Sequence, residues 1–350
     1  MAATRPTQNS KQANVEKISR QPNDAGRQAR LYGPSDATLA AIGGTVALTA
    51  LWAMAVQAQA RRAESQNPPI GRFLTVDGVR LHYLEKGRGR PVVLLHGNGS
   101  LLQDFASSVL DEAAKHYRVI VIERPGFGYS ERPKDRDWTA EEQAALLRKA
   151  LWRLRVDRPV ILGHSWAASV ALAYAMQYGP EAAAIVAASG YYYPTARLDF
   201  LALAGPALPV VGPVLRNTIS PTLARLLAPK IIAKLFDPNP VAPSFDENFP
   251  IDMALRPEQL CTSAAESGAL IGTAARLRRH YGRIQIPVVI LAGADDRVVD
   301  PYEQSSRLYR DIPDAELRIV PRTGHMVQHS RPNEVLDAID LAWKMAEDSR

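Results

Sequence analysis

The run "VILGHSWAAS", Val160 to Ser169, decides how this chain folds. An apolar stretch ends on Gly163-His164-Ser165, and an alanine-rich helical pattern begins at once with Trp166. A serine therefore stands where a strand turns into a helix. The spacing is G-x-S-x-A, with Ala167 where the motif G-x-S-x-G has its last glycine. A sharp strand–turn–helix lifts the Ser165 hydroxyl out of the sheet. It also leaves the next backbone N–H, that of Trp166, facing any negative charge that develops there. Alanine is the smallest departure from that glycine and the best helix former, so the motif is expected to work as it stands.

Working outward, "RFLTVDGVRLHYLEKG" (72–87) alternates around Asp77-Gly78 and predicts a hairpin. "PVVLLHG" (91–97), "YRVIVIERPG" (117–126), "AAAIVAAS" (182–189), "IPVVILAGA" (286–294) and "ELRIVPRTG" (316–324) predict further strands. "TAEEQAALLRKALWRLRV" (139–156) has a Thr-x-x-Glu start and 3.6-residue periodicity, which predict a helix. Strands apolar throughout, alternating with helices, imply an α/β fold with a mostly parallel sheet covered on both faces. Residues 195–283 break the rhythm. They hold proline breaks and helical apolar patches such as "TLARLLAPKIIAKLF", with no convincing strand. They are expected to form a helical cap inserted between a first core part (70–194) and a second (284–349).

Four features each close a predicted strand, the first buried one, a middle one, the first after the insertion and the last: "LLHGNGS", "ILGHSWA", "LAGADDRVV" and "RTGHMV". In an open parallel sheet ligands bind outside the carboxyl ends of the strands, so the four can converge on one site. A serine hydroxyl attacks only if a neighbouring base takes its proton. His325 is the candidate base. An aspartate after the penultimate strand would orient it, and Asp295, Asp296 and Asp300 are the candidates. His96, His164 and His329 are expected to be structural neighbours.

Residues 70–349 resemble the α/β-hydrolase fold family, the broad group of esterases, lipases and epoxide-hydrolase-like proteins. The likeness is carried by "LLHGNGS", "ERPGFGYSERP", "GHSWA", "GADDRVV" and "GHM", in that order, over about four-fifths of the chain. It implies a Ser165–His325–Asp296 triad, because the family's Gly-x-x-Asp spacing counted from Gly293 lands on Asp296. It also implies an oxyanion hole made by the backbone N–H groups of Asn98 and Trp166, and neither a metal nor a cofactor. Asn98 with Trp166 is similar to the halide-binding pair of haloalkane dehalogenases. Those enzymes use an aspartate nucleophile, and serine at 165 disfavours that reaction.

The remaining residues bound the function further. The net charge of +6 lies almost wholly in residues 1–62, which hold eight Lys/Arg against three acids, whereas 63–350 hold 34 basic and 33 acidic residues. A nearly neutral folded part excludes a phosphate-tracking surface, so no nucleic-acid partner is expected. The single cysteine, Cys261, excludes an intrachain disulfide. Residues 1–36 are polar and read as a disordered tail. Ala37–Ala60 follows, 24 residues without a charge, long enough for a helix to cross a bilayer. "ESQNPPIGR" then reads as a linker, and "RLRRHYGR" (276–283) as a solvated helix face.

The expectation is a membrane-anchored serine hydrolase acting on an ester or related acyl bond of a small apolar substrate. The leucine, valine and alanine content of the cap suggests an apolar pocket. Counts of Lys/Arg flanking the anchor, four on each side, leave orientation open. The cost of exporting a basic tail favours the catalytic domain on the outer face of the inner membrane. The same triad also serves perhydrolysis and C–C bond cleavage. A hydrolase-fold binding protein without activity is the third reading, and the complete triad argues against it. Oligomeric state is not legible in the sequence.

Overall fold

A computed structural model describes residues 35–196 and 205–349. The expected disordered tail lies outside the described residues, except at its last two positions. The chain divides into two units, Met1–Ala50 and Leu51–Arg350. In the first, the described residues are essentially the N-terminal half of α1 (Asp36–Gln66). This is one helix long and apolar enough to cross a membrane. Leu39, Ile42, Val46 and Leu48 are exposed along it.

The second unit is built on one eight-stranded sheet in the order β1-β2-β4-β3-β5-β6-β7-β8. β1 (Arg72–Val76) and β2 (Val79–Lys86) form the hairpin turned by Asp77-Gly78, and β2 runs antiparallel to β4. β3 (Pro91–Leu95), β4 (Arg118–Ile122), β5 (Val160–His164), β6 (Ala184–Ala188), β7 (Val288–Gly293) and β8 (Ala315–Val320) are parallel. The antiparallel pairing of β1 and β2 at one edge accounts for the alternation of 72–87, and the opposite edge strand β8 alternates too, with Glu316 and Arg318 between its apolar residues. The inner strands are covered on both faces and read as apolar runs.

The helices follow in chain order: α2 (Gln103–Ala106), α3 (Leu110–Ala113), α4 (Ala140–Arg153), α5 (Trp166–Tyr178), α6 (Gly212–Asn217), α7 (Ile219–Phe236), α8 (Pro243–Asn248), α9 (Ile251–Ala254), α10 (Pro257–Leu277), α11 (Ser305–Asp311), α12 (Val327–Ser330) and α13 (Pro332–Asp348). Thr139 caps α4 by accepting from the Glu142 N–H at 3.1 Å, as its Thr-x-x-Glu start predicts. Successive strand residues face opposite layers. Ile161 packs with Leu147, Leu151 and Val170 on one face, while Val160 and Leu162 pack with Phe105, Val335 and Ile339 on the other. Among the described residues no strand lies between β6 and β7, where α6 to α10 form the cap.

Two boundaries differ from the sequence reading. α1 runs on to Gln66, so the linker starts after Gln66 and not at Glu64. The reason is packing: Val56, Ala60 and Ala63, spaced four and three residues apart on one helix face, are buried, and Ala63 sits with Leu101, Met253 and Ala254. The face expected to be solvated at 276–283 is also partly core. Leu277 and Tyr281 are buried, and the Tyr281 hydroxyl donates to the Tyr192 carbonyl.

Candidate active site

β5 ends at His164, and the chain turns so sharply into α5 that Ser165 has φ 55° and ψ −122°. A non-glycine residue in that region is strained by about 1–3 kcal/mol and is held only by well-determined surroundings. Here the Ser165 N–H donates to the Ala188 carbonyl on β6 at 2.8 Å, and its carbonyl accepts from Ala168 in the first turn of α5. Gly163 makes the turn possible. A methyl group there would come within 2.3 Å of the Ala167 carbonyl oxygen. The close approach thus needs glycine at 163, whereas Ala167 is fully buried in the core without needing to be glycine.

The loops after β7 and β8 bring two further groups to Ser165. Its hydroxyl lies 3.0 Å from His325 Nε2, and His325 Nδ1 lies 2.7 Å from Asp296 Oδ2. Both partners are buried. The other carboxylate oxygen, Asp296 Oδ1, accepts from the Val298 and Val299 N–H groups at 2.8 and 2.9 Å. That leaves one orientation for the carboxylate, and a carboxylate on Nδ1 leaves Nε2 as the acceptor facing serine. Of the three candidate acids only Asp296 meets the imidazole. Asp295 is exposed, and Asp300 caps its own turn through the Tyr302 and Glu303 N–H groups.

The expected oxyanion donors are backbone N–H groups of two loops next to the serine. The Trp166 N–H opens α5, where an amide has no partner within its own helix. Asn98 follows the tight joint at Gly97, where an added methyl would lie 3.1 Å from the Ser165 Cβ. The Asn98 side chain does not face a halide site. Its Nδ2 donates to the Ser263 carbonyl and to Ser267 Oγ of α10, both at 3.1 Å. Both amide protons are engaged, which argues against the halide-binding use of this pair.

The histidines expected to be structural are buried and bonded. His164 Nε2 donates to the His325 carbonyl at 3.0 Å. Burial, with the neighbouring His325, pushes its pKa down to about 4, so it stays neutral. His96 receives the Arg124 N–H on Nε2, and its Nδ1 bonds the Gly97 carbonyl. Burial and the Arg124 charge lower its pKa to about 3. His329 donates to Asp104 at 2.7 Å. Burial alone would raise Asp104, but the hydrogen bond and charge of His329, with His164 and Gln328, carry it below the usual carboxylate range.

One group was not singled out in the sequence. Arg124, which follows β4, bonds the His96 and Gly97 carbonyls at 2.7 and 2.9 Å and pairs with Glu266 of α10 at 2.5 and 3.0 Å. Both ends of this ion pair are buried, and Gln143 joins it from α4. It ties the loop carrying Asn98 to the cap across 142 residues of sequence. No local pattern announces such a pair. A second tie runs from α7, whose Leu235 carbonyl accepts from the His325 N–H at 3.1 Å.

A cleft of about 400 Å³ opens beside Asp296, lined among others by Tyr191, Thr195, Lys234, Arg297 and Glu303. These are largely polar groups. Part of the cap's apolar content, expected to mark a pocket, is instead turned outward: Leu208, Val210, Val214, Leu223 and Leu226 are all about half exposed or more. Among the described residues no cluster of His, Cys, Asp and Glu could hold a metal ion.

A model of the α/β hydrolase fold family matches residues 90–332. The chain belongs to the α/β-hydrolase fold family. A 2-hydroxy-6-oxo-2,4-heptadienoate hydrolase of Pseudomonas putida is 30% identical to it, over 75% of this chain and 92% of that protein. Haloalkane dehalogenase 2 of Mycobacterium tuberculosis is 24% identical, over 78% and 94%. The crystal structure of a bacterial membrane phospholipase A superposes with a TM-score of 0.61 at 18% identity, over 92% of this chain and 98% of that one. That last likeness is one of fold. The relatives of this α/β hydrolase are hydrolases, and hydrolysis is the activity class they support.

Proposed function

We propose that this protein is a membrane-anchored serine hydrolase that cleaves an ester or related acyl bond through an acyl-enzyme. The observation that carries the reading is the chain of hydrogen bonds from Ser165 through His325 to Asp296. Ser165 Oγ attacks the carbonyl carbon while its proton passes to His325 Nε2. The carbonyl oxygen becomes an oxyanion held by the N–H groups of Trp166 and Asn98. The intermediate collapses, the leaving alcohol takes the proton from His325, and Ser165 is left acylated. Water, deprotonated by His325, then repeats the sequence and frees the acid. No step draws on a metal or a cofactor. The substrate is a small molecule with an apolar acyl or alkyl part.

The anchor in this reading is the stretch of α1 before Val56, whose large apolar side chains are mostly about half exposed or more. At 1.5 Å per residue those twenty residues span about 30 Å, the thickness of a bilayer core. The hydrolase domain would sit on the outer face of the inner membrane. A second reading, C–C bond hydrolysis by the same triad, is favoured by the 30% identity to the heptadienoate hydrolase. There the leaving group is a carbon acid that takes the proton.

One experiment tests both. Wild type and Ser165→Ala are assayed on p-nitrophenyl esters of increasing chain length and on 2-hydroxy-6-oxo-2,4-heptadienoate, alongside labelling with a fluorophosphonate. Turnover and labelling are expected in wild type and absent in the variant. Labelling that survives the substitution would overturn the nucleophile. Preference for the dienoate over every ester would select the C–C reading.

A further inference from the structure

We propose that the outer face of the cap helices α6 and α7 lies in the interface of an anionic lipid bilayer, as a second membrane contact beside the anchor. It rests on the anchor reading for its orientation but on separate observations for its existence. Nine of the large apolar side chains exposed in the described residues lie between Leu208 and Ile231. On α7 they are placed by helical geometry. Ile219, Leu223 and Leu226 fall on one face together with Lys230, while Pro221 and Ala228 on the opposite face are buried. α7 thus carries large exposed aliphatic side chains, with Lys230 among them, on the side that does not pack.

Charge identifies the partner. Between Gly205 and Phe236 the chain carries Arg216, Arg225, Lys230 and Lys234 and no acidic residue; Arg225 pairs with Asp252 at 3.0 Å and Lys234 lines the cleft beside Asp296, so Lys230 is the exposed basic group on the patch itself. Exposed aliphatic side chains with interspersed lysines and arginines are the pattern of a helix lying in a headgroup layer. Each basic residue near an anionic surface adds attraction. A water-soluble protein partner of ordinary composition would not call for this combination.

Position supplies the third argument. Gln57 of α1 donates to Asn217, the last residue of α6, at 2.7 Å, and Arg225 of α7 donates to Gln59 at 2.9 Å. The part of α1 that follows the exposed apolar run is therefore clipped to these two cap helices. If lipid ends near Val56, the helices bonded to Gln57 and Gln59 stand at the level of the headgroups. The cap that contacts the His325 loop through Leu235 would then meet substrate arriving from the lipid phase.

The test uses the full chain with Cys261→Ser, reconstituted in nanodiscs of phosphatidylglycerol and phosphatidylcholine. Single cysteines at Leu226, Leu48 or Trp152 carry a nitroxide label. Oxygen concentrates in lipid and a nickel chelate stays in water, so their relaxation of the label reads its surroundings. The label at Leu226 is expected to be relaxed by oxygen and shielded from nickel, and that at Trp152, which is 80% exposed, the reverse. Lys230→Glu is expected to lower the oxygen-to-nickel ratio at Leu226. Nickel access at Leu226 would overturn the proposal. Shielding from both reagents, persisting in detergent, would also overturn it by pointing to a second copy of the chain. The label at Leu48 reports on the anchor separately. Nickel access there with an oxygen-only signal at Leu226 would overturn the anchor and keep the cap contact.

Discussion

Asp296 commits one carboxylate oxygen to His325 and the other to two backbone amides. An amide in its place keeps one acceptor oxygen and puts a donor where either the imidazole or the backbone N–H groups need an acceptor. Asp296→Asn is therefore expected to place His325 in the wrong tautomer and to lower kcat on the order of 10⁴-fold, the loss seen when the equivalent acid of a serine protease is amidated. Asp295→Asn alters an exposed side chain and should stay within a few-fold of wild type. Steady-state kinetics on any ester that wild type hydrolyses reads the difference, and a costly Asp295→Asn would place the acid one residue earlier. At this scale the approach of His325 to Ser165 was legible because each follows a strand, β5 as a plain apolar run and β8 as an alternating one with Glu316 and Arg318. Choosing among Asp295, Asp296 and Asp300 needed the family's spacing. What separates them is the path of a short loop, and nothing in composition or period encodes it.

The elements themselves were legible where one rule dominates. Thr139 caps α4, Asp77-Gly78 turns the hairpin, and the inner strands are apolar throughout because helices cover both faces. The sequence misled where an apolar segment has no single destination. The cap's leucine, valine and alanine content was expected to mark an apolar pocket, yet half of its described leucines and valines are exposed, because apolar content does not say which side of a helix has a neighbour. Long-range polar ties were invisible for a related reason. Arg124 and Glu266 lie on different elements, and only the fold brings them together. Removing one end of a buried pair leaves an uncompensated charge, which costs about 3–5 kcal/mol. Glu266→Gln is thus expected to lower the melting temperature clearly. It should also lower kcat more than it raises KM, because Arg124 holds the His96 and Gly97 carbonyls just ahead of Asn98, the proposed oxyanion donor. The double variant Glu266→Gln with Arg124→Met should regain part of the lost stability. A melting temperature unmoved by Glu266→Gln would mean that the pair does not bear on the fold.

For the whole molecule the question is where the hydrolase begins. The family match starts at residue 90 and the sheet at Arg72, yet the compact unit starts at Leu51. The difference is the last part of α1. Ala63 fills a patch with Leu101, Met253 and Ala254, and Glu64 pairs with Arg256 while its carbonyl accepts from the Tyr129 hydroxyl. Arg256 also reaches the Gly128 carbonyl. This corner joins α1, the loop after β4 and the cap. A chain beginning at Leu51 is accordingly expected to leave the membrane fraction, fold and keep wild-type kcat on a soluble ester. A chain beginning at Asn67 bares the patch and breaks both polar ties. Losing about 1–2 kcal/mol of apolar burial lowers the melting temperature by roughly 2–4 °C per kcal/mol in a domain of this size. Sedimentation, melting and activity of the two truncated chains measured side by side check this. Equal melting temperatures would show that α1 ends functionally at the membrane. If the Leu51 chain still pellets with membranes and carbonate fails to release it, the anchoring element lies outside Asp36–Ala50. If high salt releases the chain instead, the cap face is what holds it there.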